Sequence, residues 1–199
     1  MENIAIYGGS FNPPTKQGHF KVIEGVLNNT DINKIIITPS GERMDKNHNI
    51  SHTYRRKMIE VFLEKLKESG LNTELDMYFF EGKNNGKTTT LKEEKYFRDK
   101  LGLSPTFIYG TDVIENMHKW IGNSDKYIEQ KLKKIFVNRP GYDFNPIKYS
   151  IDNYILLDIP EIIDISSSIV REMIKNKQSV KDILDSEILK IIDDNNLYI

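Results

Sequence analysis

Lys34-Ile35-Ile36-Ile37-Thr38 sets three isoleucines in a row. A strand turns successive side chains to opposite faces, so such a run needs cover on both sides. That is the condition of a strand inside a parallel sheet, not of an antiparallel strand with one wet face. The neighbouring segments fit around it. Ile4-Ala5-Ile6-Tyr7 reads as a short buried strand stopped by Gly8-Gly9. A helix is expected from about Gly18 to Leu27, with Phe20, Ile23 and Leu27 at helical spacing. A second helix, from Ser51 to about Ser69, carries Met58, Ile59, Phe62, Leu63 and Leu66 as its apolar stripe, and Gly70 is a suitable stop.

The same alternation continues. Leu75 to Phe80 is expected as a third strand, Leu91 to Lys100 as a helix and Thr106-Phe107-Ile108-Tyr109 as a fourth strand. Val113, Met117 and Trp120 then fall on one face of a short helix. Ile135-Phe136-Val137 and Tyr154-Ile155-Leu156-Leu157 give strands five and six, and the tail from Ser167 reads as helical in two or three pieces. Strand alternating with helix implies an α/β fold: a doubly wound, Rossmann-like, mostly parallel sheet with helices on both faces and a C-terminal helical tail. No internal repeat or linker stands out, so residues 1–199 are expected to form one domain, with 162–199 as its helical end. Sheets of this kind bind ligands at the carboxyl ends of their strands.

Composition narrows the partners. The chain has 28 basic and 29 acidic residues and a net charge of −1. Nucleic-acid binders draw affinity from neutralising phosphates with a basic surplus, which is missing here, so no nucleic-acid partner is expected. No apolar run approaches the roughly 20 residues of a membrane span, and no basic-then-apolar leader begins the chain. With no cysteine, disulfides, thiolate metal sites and a cysteine nucleophile are excluded, and a cytoplasmic location is expected. Whether the chain forms a homo-oligomer is left open.

The chemistry concentrates after the first strand, in Gly8-Gly9-Ser10-Phe11-Asn12-Pro13-Pro14-Thr15-Lys16-Gln17-Gly18-His19. Glycines let backbone amides approach a ligand closely, and the following helix start brings free N–H groups and partial positive charge to the same place. His19 in the first turn can donate to phosphate oxygens. A second helix start, Asp164-Ile165-Ser166-Ser167-Ser168-Ile169-Val170-Arg171, has serines to cap it and a guanidinium one turn in, which reinforces anion binding.

These two segments resemble the adenylyltransferase superfamily marked by (His/Thr)-x-Gly-His and Ile-Ser-Ser-Thr-x-x-Arg, with Ser168 in place of Thr. One departure concerns the first motif. The superfamily sets its first His or Thr two residues before Gly, whereas Thr15 lies three before Gly18 and Lys16 holds the usual place. One residue is inserted, and either Thr15 bulges into position or Lys16 replaces it. Gly110-Thr111-Asp112 with Trp120 resembles the Gly-x-Asp…Trp segment of bacterial nicotinate mononucleotide adenylyltransferases, and Arg139-Pro140-Gly141-Tyr142 resembles their Arg-Pro-Gly-Tyr turn. Asp112, at a strand's carboxyl end, could accept hydrogen bonds from ribose hydroxyls. Asp45-Lys46 stands where that family has His-Lys, and Arg55 with Met58 resembles its Arg-x-x-Met helix. Thr88-Thr89-Thr90-Leu91 is a loose match to the stretch that helps hold the nicotinate carboxylate.

The resemblance implies transfer of the adenylyl group of ATP to nicotinate mononucleotide (NaMN), or to its amide NMN, in the biosynthesis of NAD. Pyrophosphate leaves, and Mg²⁺ is held by substrate phosphates rather than by protein ligands. It implies catalytic roles for His19, Arg171 and Thr15 or Lys16. Around ATP and its phosphates it puts Gly8, Gly9, Ser10, Phe11, Gly18, Lys46, Gly110, Asp112, Arg139, Ile165, Ser167 and Ser168. At the mononucleotide it puts Thr88, Thr89 and Trp120. The alternatives are a phosphopantetheine-specific enzyme of the same superfamily and a non-catalytic nucleotide-binding module.

Overall fold

The computed structural model describes residues 2–41, 50–82, 89–117, 132–162 and 165–199. Among them, six parallel strands form one sheet: β1 (Ile4–Gly9), β2 (Lys34–Pro39), β3 (Thr73–Leu75), β4 (Thr106–Gly110), β5 (Lys134–Val137) and β6 (Tyr154–Leu157). Their order is β3-β2-β1-β4-β5-β6. The chain winds one way from β1 to β3 and the other way from β4 to β6, so the direction reverses between β1 and β4. A crevice opens at such a reversal, beyond the carboxyl ends of the two strands. The register brings those ends level: Tyr7 lies beside Ile37 and Ile108, and Gly9 beside Pro39.

Both faces are covered, as the isoleucine run requires. Ile35 and Ile37 point into a core with α1 (Lys21–Asn29), α2 (His52–Glu68), α5 (Ser167–Lys175) and α6 (Ser186–Asp194). Ile36 points the other way, against Phe79, Phe107 and Phe97 of α3 (Thr90–Leu101). Farther along that face, Ile114 and Met117 of α4 (Ile114–Met117) pack on Phe136. The tail forms two helices, in keeping with its pattern, and both close on the first face.

Two elements differ from the sequence expectation. The third strand covers Thr73–Leu75 rather than Leu75 to Phe80. Asp76 makes the last ladder bond, N to Ile37 O at 2.9 Å. Its buried carboxylate then accepts from Tyr78 N at 2.9 Å, from the Tyr96 hydroxyl at 3.0 Å and from Lys100 Nζ at 2.6 Å. A carboxylate bonding to the backbone two residues on closes a turn that competes with the ladder. Tyr78 stacks on Tyr96 with ring centroids 4.2 Å apart, and Phe79 and Phe80 are buried. The apolar run is therefore a turn that plugs the core. The first helix also differs: a π-helical turn from Lys16 precedes α1, and α1 extends to Asn29.

Ile36→Ala tests the two-sided cover of β2. Removing a fully buried isoleucine side chain costs about 2–5 kcal/mol, so urea unfolding is expected to show a loss in that range with the slope unchanged. A loss below about 0.5 kcal/mol, the usual scale of an exposed position, contradicts it.

Candidate active site

Gly8 and Gly9 end β1, and the chain turns at Phe11 with φ +47°, a left-handed backbone that bulky residues adopt only when their surroundings fix it. The surroundings here are aromatic. The buried Phe11 ring lies edge-on to Tyr7 at 5.7 Å and 4.8 Å from the His19 ring, which also meets Phe62 of α2 at 6.3 Å. A Cβ on Gly9 would press on the Phe11 ring at 3.2 Å. Ser10 is half-buried beside it.

The inserted residue is absorbed by a π-helical turn over Lys16–Phe20, whose bonds run Phe20 N to Thr15 O (3.1 Å) and Lys21 N to Lys16 O. A π turn carries one residue more than an α turn, so it lengthens the segment without shifting the helix beyond it. Thr15 thereby keeps its place against His19. Thr15 Oγ1 caps the turn by accepting from His19 N (3.3 Å), and its backbone N–H donates to His19 Nδ1 (3.1 Å). Lys16 is exposed and held elsewhere, with its N–H on Ile183 O at 2.8 Å. It lines a cavity of about 290 Å³ between the π turn, α2 and the start of α6. Gly8, Asp112 and Arg171 have no part in that cavity. Of the two candidates for the first motif position, Thr15 is the one bonded to His19.

Gly18 faces inward at this turn. A Cβ there would come 2.8 Å from Thr15 Oγ1 and 3.2 Å from the Ile165 carbonyl oxygen. So the absence of a side chain lets the π turn sit against Thr15 and against the approach to α5 at once.

His19 is chemically defined by these contacts. Because Nδ1 accepts from an N–H, the proton of the neutral ring sits on Nε2. Burial first, and the Arg139 guanidinium second, lower its pKa to about 3. The ring is thus neutral, with its proton on Nε2.

Beyond β4, Asp112 pairs with Arg139 Nε at 3.1 Å, and the Arg139 N–H donates to Thr111 Oγ1 at 2.9 Å. A Cβ on Gly110 would collide with Asp112 Oδ1 and come within 2.6 Å of Arg139 Nε. Gly110 is what lets this pair close over the strand end. The sequence points Asp112 at a ribose; in the structure its carboxylate pairs with Arg139.

The second helix start lies against the first loop. Ser166 caps α5 by accepting from Ile169 N at 3.2 Å. Ser167 Oγ donates to Pro13 O (2.9 Å), and Arg171 donates from Nη1 to Asn12 O (2.8 Å) and from Nη2 to Ser168 Oγ (3.0 Å). Thr89 caps α3, its hydroxyl accepting from Lys92 N at 3.3 Å. Lys46, Thr88 and Trp120 lie outside the described residues. Two contributions are invisible in the sequence: that of Asn12, whose carbonyl holds Arg171 from 159 residues away, and that of Phe62 against His19. No local pattern marks either; only the fold brings them there.

The model of the family described as cytidylyltransferase-like matches residues 6–173. The chain belongs to the cytidylyltransferase-like family. A Clostridium tetani protein named "Probable nicotinate-nucleotide adenylyltransferase" is 30% identical over the full length of both chains. The Bacillus subtilis nicotinate-nucleotide adenylyltransferase is 27% identical, covering all of this chain and 99% of its own. Among solved structures, the Plasmodium falciparum nicotinic acid mononucleotide adenylyltransferase complexed with NaAD has the same fold, with TM-score 0.82 and 24% identity over all of this chain and 98% of that one.

The His19 ring gives a direct check. In the free protein, its ¹⁵N shifts are expected to report a neutral Nε2–H tautomer from about pH 8 down to below about pH 5. The folded pKa lies below the unfolded value of about 6.5, so between them the unfolded chain binds the extra proton. Stability from this group is therefore present above about pH 6.5 and is lost as pH falls toward about 3. Titration of the ring near its unfolded value in the folded protein contradicts the assignment.

Proposed function

We infer that this protein transfers the adenylyl group of ATP to nicotinate mononucleotide, giving the dinucleotide and pyrophosphate in NAD biosynthesis. One observation carries the reading: the Thr15–His19 turn and the start of α5 are bonded to the same loop at the open end of the sheet. The full-length similarity to nicotinate-nucleotide adenylyltransferases supports the choice of substrate. NMN is the proposed second, weaker acceptor.

The reaction needs no protein nucleophile. The 5′-phosphate of the mononucleotide attacks the α-phosphorus of ATP in line, the bond to the β-phosphate oxygen breaks, and pyrophosphate leaves with the electron pair. The protein contributes position and charge. In this reading His19 Nε2–H donates to the α- and β-phosphates, and Thr15, bonded to the His19 ring and main chain, holds it in place. The α5 N-terminus, Ser168 and Arg171 take the β- and γ-phosphates. Arg139, held by Asp112, adds positive charge beside His19. An anion bound there reverses the burden that Arg139 places on the imidazole and raises its pKa.

The chemistry also calls for Mg²⁺, which favours phosphate oxygens and keeps most of its waters. Among the described residues, no three carboxylate or imidazole groups come together as a metal cage, and the Asp112 carboxylate is engaged by Arg139. In this reading the ion would sit on phosphate oxygens and water and would neutralise charge on the triphosphate.

Pyrophosphate release from ATP is expected with NaMN, to a lesser degree with NMN, and not with phosphopantetheine. Release with phosphopantetheine alone, or with none of the three, overturns the reading. His19→Ala is expected to lose roughly 10²–10³-fold in kcat, the scale of one transition-state donor, with the fold retained by circular dichroism. Arg171→Ala is expected to raise the KM for ATP more than that for NaMN. Wild-type kinetics in either variant removes that residue from the site.

A further inference from the structure

The end of the chain reaches the same loop. After α6, Leu197 is buried and its N–H bonds to Ile192 O at 3.0 Å. Asn196 and Tyr198 both take left-handed backbones, φ +49° and +69°. That conformation is unfavourable for a bulky side chain and persists only where contacts impose it. The Tyr198 hydroxyl donates to Asn12 Oδ1 at 2.5 Å across 186 residues of sequence. Asn12 is only 1% exposed, and its other oxygen, the main-chain carbonyl, is the one that accepts from Arg171. Tyr198, Asn12, Arg171 and Ser168 are thus linked in one line of hydrogen bonds. Leu197 and the Tyr198 ring both pack on the core. The tyrosine hydroxyl is spent on the loop that carries Arg171's acceptor.

We propose that Tyr198 is a positioning residue for ATP: its hydroxyl fixes Asn12, and through the Asn12 carbonyl it sets the placement of the Arg171 guanidinium. This rests on the anion site proposed above. A hydrogen bond to a buried acceptor restricts a loop that otherwise has several arrangements. Its removal spreads Arg171 over positions of which only a fraction bind, and apparent affinity falls by that fraction.

The test compares Tyr198→Phe, Tyr198→Ala, Arg171→Ala and the double variant Tyr198→Phe/Arg171→Ala in the full chain. ATP affinity is read by calorimetry, KM and kcat by pyrophosphate release. Tyr198→Phe keeps the ring and is expected to weaken ATP about fivefold, the scale of one net hydrogen bond, with KM for NaMN within about twofold of wild type. In the Arg171→Ala background the same change is expected to add less than about twofold, because the two act in series. If Tyr198→Phe binds ATP as wild type does while Tyr198→Ala fails, the ring only packs and the proposal is overturned. An equal effect in both backgrounds overturns it as well. A wild-type protein that binds ATP but forms no dinucleotide defeats the proposed reaction instead, and calorimetry still decides the role of Tyr198.

Discussion

The carbonyl groups of Asn12 and Pro13 are where the two ends of this chain meet, and the site depends on that meeting. Asn12 O accepts from Arg171, and Pro13 O from Ser167. A helix start alone is a weak anion site, worth at most about 1 kcal/mol where it is exposed. Two helix starts held against one loop, with the guanidinium groups of Arg171 and Arg139 close by, add their positive charge together. The sheet provides the crevice by reversing its winding between β1 and β4. The loop between Gly9 and Thr15 provides the surface to which α5 is bonded.

The π turn shows how such a site tolerates a change in length. With one residue more before Gly18-His19, an α turn would carry Thr15 out of reach of the imidazole. Closing the turn with an i to i+5 bond, Phe20 N to Thr15 O, takes up the extra residue and leaves the Thr15–His19 pairing intact. The surplus appears at Lys16, pushed outward toward α6. That pairing fixes the tautomer of His19, with its proton on Nε2.

Much of this is legible in the residues. Ile35-Ile36-Ile37 calls for a sheet covered on both faces, and the structure covers it on both. The glycines at the ends of β1 and β4, the serines at 166–168 and the histidine after Gly18 each carry a local requirement, for close approach, for a cap or for a donor, and such requirements can be read without a fold. The third strand departs from its pattern because Met77 to Phe80 are apolar for a different reason: they fill a turn whose direction is set by Asp76 bonding to Tyr96 and Lys100, 20 and 24 residues on. The bonds from Tyr198 and Arg171 to Asn12 are illegible because their partners lie 186 and 159 residues apart and neither residue's neighbours betray them. Pairings of that kind belong to the tertiary fold and leave no period in the sequence.

The central claim is that His19 and the start of α5 bind one triphosphate. A crystal structure with a non-hydrolysable ATP analogue tests it most directly. The account predicts continuous density from the α-phosphate beside His19 Nε2 to a γ-phosphate at Ser168 and Arg171. A triphosphate touching only one of the two helix starts, or lodged in the cavity lined by Lys16, Lys65 and Ile188, contradicts it.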